Sequence, residues 1–182
     1  ISVCKLLGFD IQKVKEILKN IEPPRGRFDH FLSDTGVLCI IDYAHTPDAL
    51  QKIISAIVEI KEANSKLISV FGCGGDRDPL KRRIMGKIGT QFSDIAILTS
   101  DNPRSEDPEK IINEMKTDLS MSDISKTENI TDRRKAIQRA VFLAKKGDIV
   151  LCAGKGHETY QEIKGVKHHF NDLEELKKAF IS

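Results

Sequence analysis

The sequence lacks a strong charge of either sign, since 29 lysines and arginines face 27 aspartates and glutamates for a net charge of +2. This balance does not indicate a basic stripe for nucleic acid or a polybasic patch for a membrane surface. No apolar run approaches the roughly 18 residues that a membrane-spanning helix needs. The four cysteines are scattered and form no Cys-x-x-Cys pair. We therefore expect a cytoplasmic protein in a reducing environment, without nucleic-acid partners and without membrane insertion.

Several motifs that would define a reaction are also missing. No G-x-x-x-x-G-K-[ST] sequence occurs, so the chain has no P-loop for a nucleoside triphosphate. The glycine-rich segment that starts at Gly72 fails as a dinucleotide fingerprint, because Arg77 stands where the last glycine of G-x-G-x-x-G is needed. The pair His168-His169 does not indicate a metal site, because adjacent residues of a strand point to opposite faces. We expect no metal site in this chain.

The apolar residues that are present recur in alternating strand-like and helix-like patterns. At 40% apolar and 182 residues, the chain can build one ordinary domain with some residues to spare. Because it begins at Ile1 and not at methionine, we expect it to be part of a longer protein. A helical pattern over 1–20 ends at Pro23-Pro24, and we place a domain boundary between residues 22 and 23.

After that boundary, strands and helices alternate regularly. The predicted strands are 28–32, 37–42, 66–71, 94–100 and 148–153, the predicted helices are 47–63, 81–92, 108–119, 131–146 and 172–180, and 161–170 is predicted to be a hairpin. Thr131 is expected to cap its helix, and residues 120–129 are expected to form a polar surface loop. The pattern predicts an α/β fold, with a mostly parallel sheet covered by helices on both faces.

The loop after the strand 37–42 contains groups suited to a nucleotide. Asp42 ends the strand, where an aspartate can accept from ribose hydroxyls. His45 precedes a predicted helix N terminus, where phosphates are favoured by free amides and by the helix dipole. For a lone histidine a structural role is the commoner case. A pairing of His45 with Cys73 is the nearest approach to a nucleophilic constellation, and a remote one.

Two further strand ends carry glycine-rich loops. Residues 72–78 combine glycines, whose amides can face an anion, with acidic and basic side chains that suit a zwitterionic ligand. Residues 154–159 again bring backbone close to a ligand, and Glu158 can receive an ammonium group. A flexible turn with solvated charges is the alternative interpretation of this second loop.

The most informative stretch is Asp101-Asn102-Pro103-Arg104, which follows the apolar run 95–98. It is expected at the carboxyl edge of the sheet, where ligands bind in open α/β folds. Asp101 and Asn102 offer hydrogen-bonding groups, Pro103 stiffens the turn, and Arg104 presents a planar charged fork suited to a carboxylate. In isolation these residues would more often form a strand-ending turn with a solvated arginine, but two other loops with similar chemistry accompany them.

Five motifs in order resemble the C-terminal part of the Mur ligase family, and more narrowly of the members that add meso-diaminopimelate to the peptidoglycan stem peptide. They are Gly26-Arg27-Phe28-Asp29, Asp42-Tyr43-Ala44-His45-Thr46-Pro47, Gly74-Gly75-Asp76-Arg77-Asp78, Asp101-Asn102-Pro103-Arg104 and Ala153-Gly154-Lys155-Gly156-His157-Glu158. The resemblance implies a Rossmann-like domain over 23–182. Residues 1–22 would be the last helix of a central ATPase domain, which in this family holds the P-loop, a modified lysine and most magnesium ligands. No catalytic residue is therefore expected in this chain.

The resemblance also implies a reaction and its ligands. ATP and Mg²⁺ would convert the D-glutamate side chain of UDP-N-acetylmuramoyl-L-alanyl-D-glutamate to an acyl phosphate, which the amine of meso-diaminopimelate attacks as phosphate leaves. The enzyme is expected to be a monomer. By resemblance, the ATP contacts are Arg27, Asp42 and His45, and the amino-acid contacts are Arg77, Asp101, Asn102, Pro103, Arg104, Gly154 and Glu158.

The amino-acid assignment agrees with elementary chemistry. The Arg104 guanidinium suits the distal carboxylate of meso-diaminopimelate, and Glu158 suits its distal ammonium group. A lysine-adding relative has no distal carboxylate to bind. The alternatives are a lysine-adding or other Mur ligase paralogue, a non-catalytic nucleotide-binding module and a dehydrogenase-like domain. Charged residues at three strand ends disfavour the module, and the failed fingerprint disfavours the dehydrogenase.

Overall fold

A computed structural model describes residues 2–18 and 24–181. The strands are β1 Asp29–Leu32, β2 Leu38–Asp42, β3 Leu67–Phe71, β4 Ile95–Leu98, β5 Thr127–Asn129, β6 Ile149–Ala153, β7 Tyr160–Ile163 and β8 Val166–His169. The helices are α1 Ser2–Leu6, α2 Ile11–Leu18, α3 Pro47–Ile60, α4 Leu80–Gln91, α5 Pro108–Met115, α6 Met121–Ser125, α7 Arg133–Leu143 and α8 Asp172–Ala179. None of these helices has the length and apolarity that crossing a bilayer would require.

The centre of the fold is a six-stranded sheet in the order β1-β2-β6-β3-β4-β5. β1 pairs antiparallel with β2, and the other four pairings are parallel. Every residue of β3 and β6 is buried, as expected for parallel strands covered on both faces. Helices α3, α4 and α5 pack on one face, and α7 and α8 pack on the other. The predicted α/β fold is confirmed.

The predictions for two helices need correction. The helix expected over 1–20 is two short helices, because Gly8 has a φ of 77° that ends α1. The helix expected from Thr131 is capped by Asp132, whose side chain accepts from the amides of Arg134 and Lys135. It ends at Leu143, because the next residue is already extended. The proposed boundary between 22 and 23 lies outside the described residues.

The loop expected over 120–129 is instead a short helix and an edge strand. Ser120 caps α6 by accepting from the Asp123 amide. Residues Thr127–Asn129 pair in parallel with β4 through backbone bonds alone. Their polar side chains show no apolar alternation, which is why sequence periodicity does not reveal the strand.

The parallel pairing brings four strand ends to one edge of the sheet. β2, β3, β4 and β6 all point their carboxyl ends the same way, so the loops that follow them meet there. Close approach of these loops depends on glycine, since a Cβ on Gly72 would lie 2.1 Å from the Thr99 carbonyl oxygen. A Cβ on Gly75 would lie 2.0 Å from the Pro103 carbonyl oxygen.

Candidate functional site

The loops after β2, β3, β4 and β6 line a cavity of about 300 Å³. It brings together seven of the predicted ligand-binding residues, which are His45, Arg77, Asp101, Asn102, Arg104, Gly154 and Glu158. Arg27, Asp42 and Pro103 do not line it. Most of the predicted amino-acid site therefore lines one cavity, whereas two of the three predicted nucleotide contacts, Arg27 and Asp42, lie outside it.

The loop that carries Arg104 is held from behind by the β7–β8 hairpin. The Arg104 amide donates to the Glu162 carbonyl at 3.1 Å, and the Lys164 amide donates to the Arg104 carbonyl at 2.7 Å. The Asn102 side-chain oxygen accepts from the Glu162 amide at 2.9 Å. These bonds stabilise Arg104 at a φ of 50°, a left-handed conformation that a non-glycine residue rarely adopts without such support.

The Arg104 guanidinium lies between the cavity and the hairpin. Its Nη1 donates to the Gly75 carbonyl at 2.7 Å, and its Nε is 3.6 Å from a Glu162 carboxylate oxygen. The side chain is 22% exposed. Because a guanidinium has five N–H donors, these contacts orient the fork without using all of it. The remaining donors can serve a ligand carboxylate in the cavity.

Glu158 is an acidic residue that lines the same cavity. Its Oε2 accepts from the Asn102 side-chain amide at 2.9 Å and from the Lys155 ammonium at 3.1 Å. Lys155 is fully buried and also donates to Asp101 at 3.3 Å and to the Asn102 side-chain oxygen at 3.1 Å. Sequence reasoning missed Lys155, since a lysine between two glycines in a loop is typically solvated.

The predicted nucleotide contacts begin with Asp42 at the end of β2. Its Oδ2 accepts from the Phe28 amide at 2.8 Å, which connects the first loop to the sheet and uses one carboxylate oxygen. His45 is exposed, and its Nδ1 donates to the Tyr43 carbonyl at 2.8 Å. Because a carbonyl can only accept, Nε2 is the ring nitrogen left for a ligand. Arg27 is exposed, in a turn away from this cavity.

A second feature that sequence reasoning missed is the support under the glycine loop. Arg82 is almost completely buried, and its guanidinium donates to both carboxylate oxygens of Glu106, at 2.7 and 2.8 Å. It also donates to Glu114 at 2.7 Å. The Arg82 hydrogen bond lowers the pKa of Glu106 from 4.5 to about 2. Arg82 therefore fixes the helix that follows the Gly74 loop against the loop before α5.

The remote nucleophile hypothesis for Cys73 is not supported. Burial, with a contribution from the Asp101 carboxylate, raises the pKa of the Cys73 thiol to about 12. A thiol with so high a pKa is a poor nucleophile at neutral pH.

The described part of the chain contains no group of three or more His, Cys, Asp or Glu residues that could hold a metal ion. His169 instead pairs with Glu174 at 2.9 Å.

Comparison with known proteins gives the same family as the motifs. The Mur ligase glutamate ligase domain matches residues 26–156. The UDP-N-acetylmuramoyl-L-alanyl-D-glutamate–2,6-diaminopimelate ligase of Bacteroides thetaiotaomicron is 53% identical over 96% of the chain and 36% of its own length. The ligase of the same name from Clostridioides difficile is 48% identical over 96% of the chain and 35% of its own length. The chain thus spans about a third of these relatives.

Solved structures agree at the level of the whole fold. A structure of a UDP-N-acetylmuramoyl-L-alanyl-D-glutamate–2,6-diaminopimelate ligase superposes with a TM-score of 0.81 at 41% identity, over 98% of the chain and 36% of that protein. A UDP-N-acetylmuramate–alanine ligase from Thermotoga maritima superposes with a TM-score of 0.63 at 19% identity, over the whole chain and 35% of that protein, which shows a shared fold. The chain therefore belongs to the Mur ligase family and contains its C-terminal domain.

Proposed function

We propose that this chain is the amino-acid-binding part of an ATP-dependent ligase that joins meso-diaminopimelate to UDP-N-acetylmuramoyl-L-alanyl-D-glutamate in peptidoglycan synthesis. The observation that carries the proposal is the presence of Arg104 and Glu158 in the lining of the same cavity. In this proposal residues 1–22 belong to the central ATPase domain, and 23–182 form the C-terminal domain. The full enzyme is proposed to act as a cytoplasmic monomer.

The cavity complements an amino acid that carries charge at both ends. The Arg104 fork suits a carboxylate, and the free oxygen of Glu158 suits an ammonium group. Arg77 adds a second cation, and Asn102 and Gly154 add neutral polar contacts. Asp101 acts mainly by fixing Lys155, and Pro103 acts as a scaffold residue whose carbonyl packs against Gly75. A ligand with a distal carboxylate can accept from the remaining donors of Arg104, whereas lysine has no carboxylate at that end.

This chain would form only part of the binding sites for ATP and Mg²⁺, and the rest of the enzyme would form the remainder. Asp42, His45 and Arg27 fit the edge of a nucleotide site, since one oxygen of Asp42 and Nε2 of His45 remain available and Arg27 is exposed. The chain has no P-loop. The described residues offer no cluster for a metal ion, so we propose that Mg²⁺ is held mainly by other parts of the enzyme. Bound ATP supplies the phosphoryl group that activates the acceptor carboxylate.

The test is a ligation assay on the full-length protein. With ATP, Mg²⁺ and the UDP-muramoyl dipeptide, we expect efficient use of meso-diaminopimelate and poor use of L-lysine. Residues 1–182 alone should show no ATP turnover, because the phosphate-binding loop is missing. Equal use of both amino acids would contradict the substrate assignment, and absence of ligation with any diamino acid would contradict the function.

A further inference from the structure

Contact with the substrate does not by itself explain why the Lys155 side chain is buried. Its side chain is completely buried, which is rare for lysine unless the charge is paired. Its ammonium group has three N–H donors, and three acceptors surround it, on Asp101, Asn102 and Glu158. The residue therefore joins the loop after β4 to the loop after β6.

The local backbone directs Lys155 inward. Gly154 and Gly156 flank it with φ values of 113° and 53°, conformations that favour glycine. The Glu158 amide then donates to the Lys155 carbonyl at 2.9 Å, which forms a tight turn and returns the Glu158 carboxylate to the ammonium group three residues earlier. The turn and the ion pair thus place the same two residues together.

The hydrogen bonds around Glu158 are asymmetric. Both Lys155 and Asn102 donate to Oε2, at 3.1 and 2.9 Å. Oε2 is therefore directed at the protein, and Oε1 is the oxygen available to the cavity that Glu158 lines. The charge of Lys155 also separates two carboxylates, those of Asp101 and Glu158, that would otherwise share one small polar region.

We propose that Lys155 is a positioning residue that orients Glu158 so that Oε1 receives the ammonium group of the amino-acid substrate. The proposal rests on the proposed function for the identity of that substrate. Lys155 does not itself contact the ligand, since it does not line the cavity. The effect of replacing Lys155 should therefore depend on Glu158 and should be confined to the KM for the amino acid.

The test compares Lys155→Met with Lys61→Met in the full-length enzyme. Lys61 is a matched control, because it is a largely buried lysine that bonds Ser65 and Asp94 at the opposite, amino edge of the sheet. Lys155→Met should raise the KM for meso-diaminopimelate about tenfold or more, with the KM for ATP unchanged. Lys61→Met should lower the Tm and leave both KM values unchanged. If Lys155→Met does not fold, Lys155→Gln should show the same rise in the KM for meso-diaminopimelate with an unchanged KM for ATP.

A double-mutant cycle shows whether Lys155 acts through Glu158. In a Glu158→Gln background, Lys155→Met should have little further effect on the KM for the amino acid. An equal effect in both backgrounds, or a parallel rise in the KM for ATP, would overturn the proposal in favour of a general structural role.

A crystal structure of the Lys155 variant tests the geometry whichever substrate the enzyme uses. The Glu158 carboxylate should leave its position beside Asn102, and an unmoved carboxylate would overturn the proposal. A parent enzyme that does not use meso-diaminopimelate would instead contradict the proposed function, while this structural result would still decide the role of Lys155.

Discussion

Two arginines near the carboxyl ends of the strands, Arg133 and Arg104, use the same guanidinium group in opposite ways. Arg133 is fully buried, and its Nε and Nη2 donate to the two carboxylate oxygens of Asp172 at 2.8 and 2.7 Å. Arg104 is partly exposed, and the Glu162 carboxylate is 3.6 Å from its Nε, too far for a good hydrogen bond. The chain thus supplies a bidentate carboxylate to one fork but not to the other.

The difference separates a structural arginine from a ligand-binding one. Arg133 also donates to the Ala153 carbonyl at 3.0 Å and so joins α7, α8 and the end of β6. Arg104 is oriented by the Gly75 carbonyl and by the hairpin behind it. Its strained backbone is supported on the protein side, and its fork lines the cavity. We expect removal of the first to reduce stability and removal of the second to reduce recognition.

The largest expected effect on stability is that of Arg133→Met. It leaves the Asp172 carboxylate buried and unpaired, and breaking such a pair typically costs about 3–5 kcal/mol. Calorimetry on the full-length protein should show a strongly lowered Tm for the transition that includes this domain. Arg133→Met combined with Asp172→Leu should recover much of the loss, because it removes both buried charges. A single variant as stable as the parent would contradict the structural role.

The ion pair between Glu106 and Arg82 should make the stability of the protein depend on pH. Because its folded pKa is lowered from 4.5 to about 2, mainly by the Arg82 hydrogen bond, it contributes stability above pH 4.5 that is lost as the pH falls towards about 2. Glu106→Gln should lower the Tm near neutral pH, and its difference from the parent should shrink over this acid range. A difference that stays constant there would contradict the pairing with Arg82.

The smallest expected effect is that of Glu162→Gln. A partly exposed ion pair at 3.6 Å is worth about 0–1 kcal/mol, so the Tm should hardly change. If Glu162 competes with the ligand carboxylate for Arg104, the variant should lower the KM for meso-diaminopimelate slightly. A rise in this KM as large as that for removal of Arg104 would mean that Glu162 aligns the fork, and would weaken the contrast with Arg133.

The sheet could be predicted from the sequence because its central strands are continuous apolar runs. The runs at 67–71 and 149–153 are buried at every position. The edge strand Thr127–Asn129 could not be predicted, because its pairing with β4 involves backbone groups and leaves no trace in side-chain polarity. The break at Gly8 is visible as a glycine in the sequence, but the helical spacing of Ile11, Val14, Ile17 and Leu18 favours a single helix over 1–20.

Within the site, the residues found from sequence are those that stand in motifs at strand ends, such as Asn102 and Glu158. The residues missed, Lys155 and Arg82, are buried charges whose surroundings come largely from segments distant in sequence. Arg82 meets Glu106 and Glu114 only after α4 and α5 have packed, and Lys155 meets Asp101 only across two strands. Burial of a charge is a property of the packed fold, so no local pattern indicates it.

The central claim is that Arg104 recognises the distal carboxylate of meso-diaminopimelate, and the most direct measurement is kcat/KM for two amino acids in the parent, Arg104→Ala and Arg104→Lys. For meso-diaminopimelate, Arg104→Ala should lose about 2–5 kcal/mol of transition-state stabilisation, and Arg104→Lys should recover little, because an ammonium group cannot form the bidentate contact. For L-lysine and for ATP the loss should be small. An equal loss for both amino acids, or no loss for meso-diaminopimelate, would contradict the account.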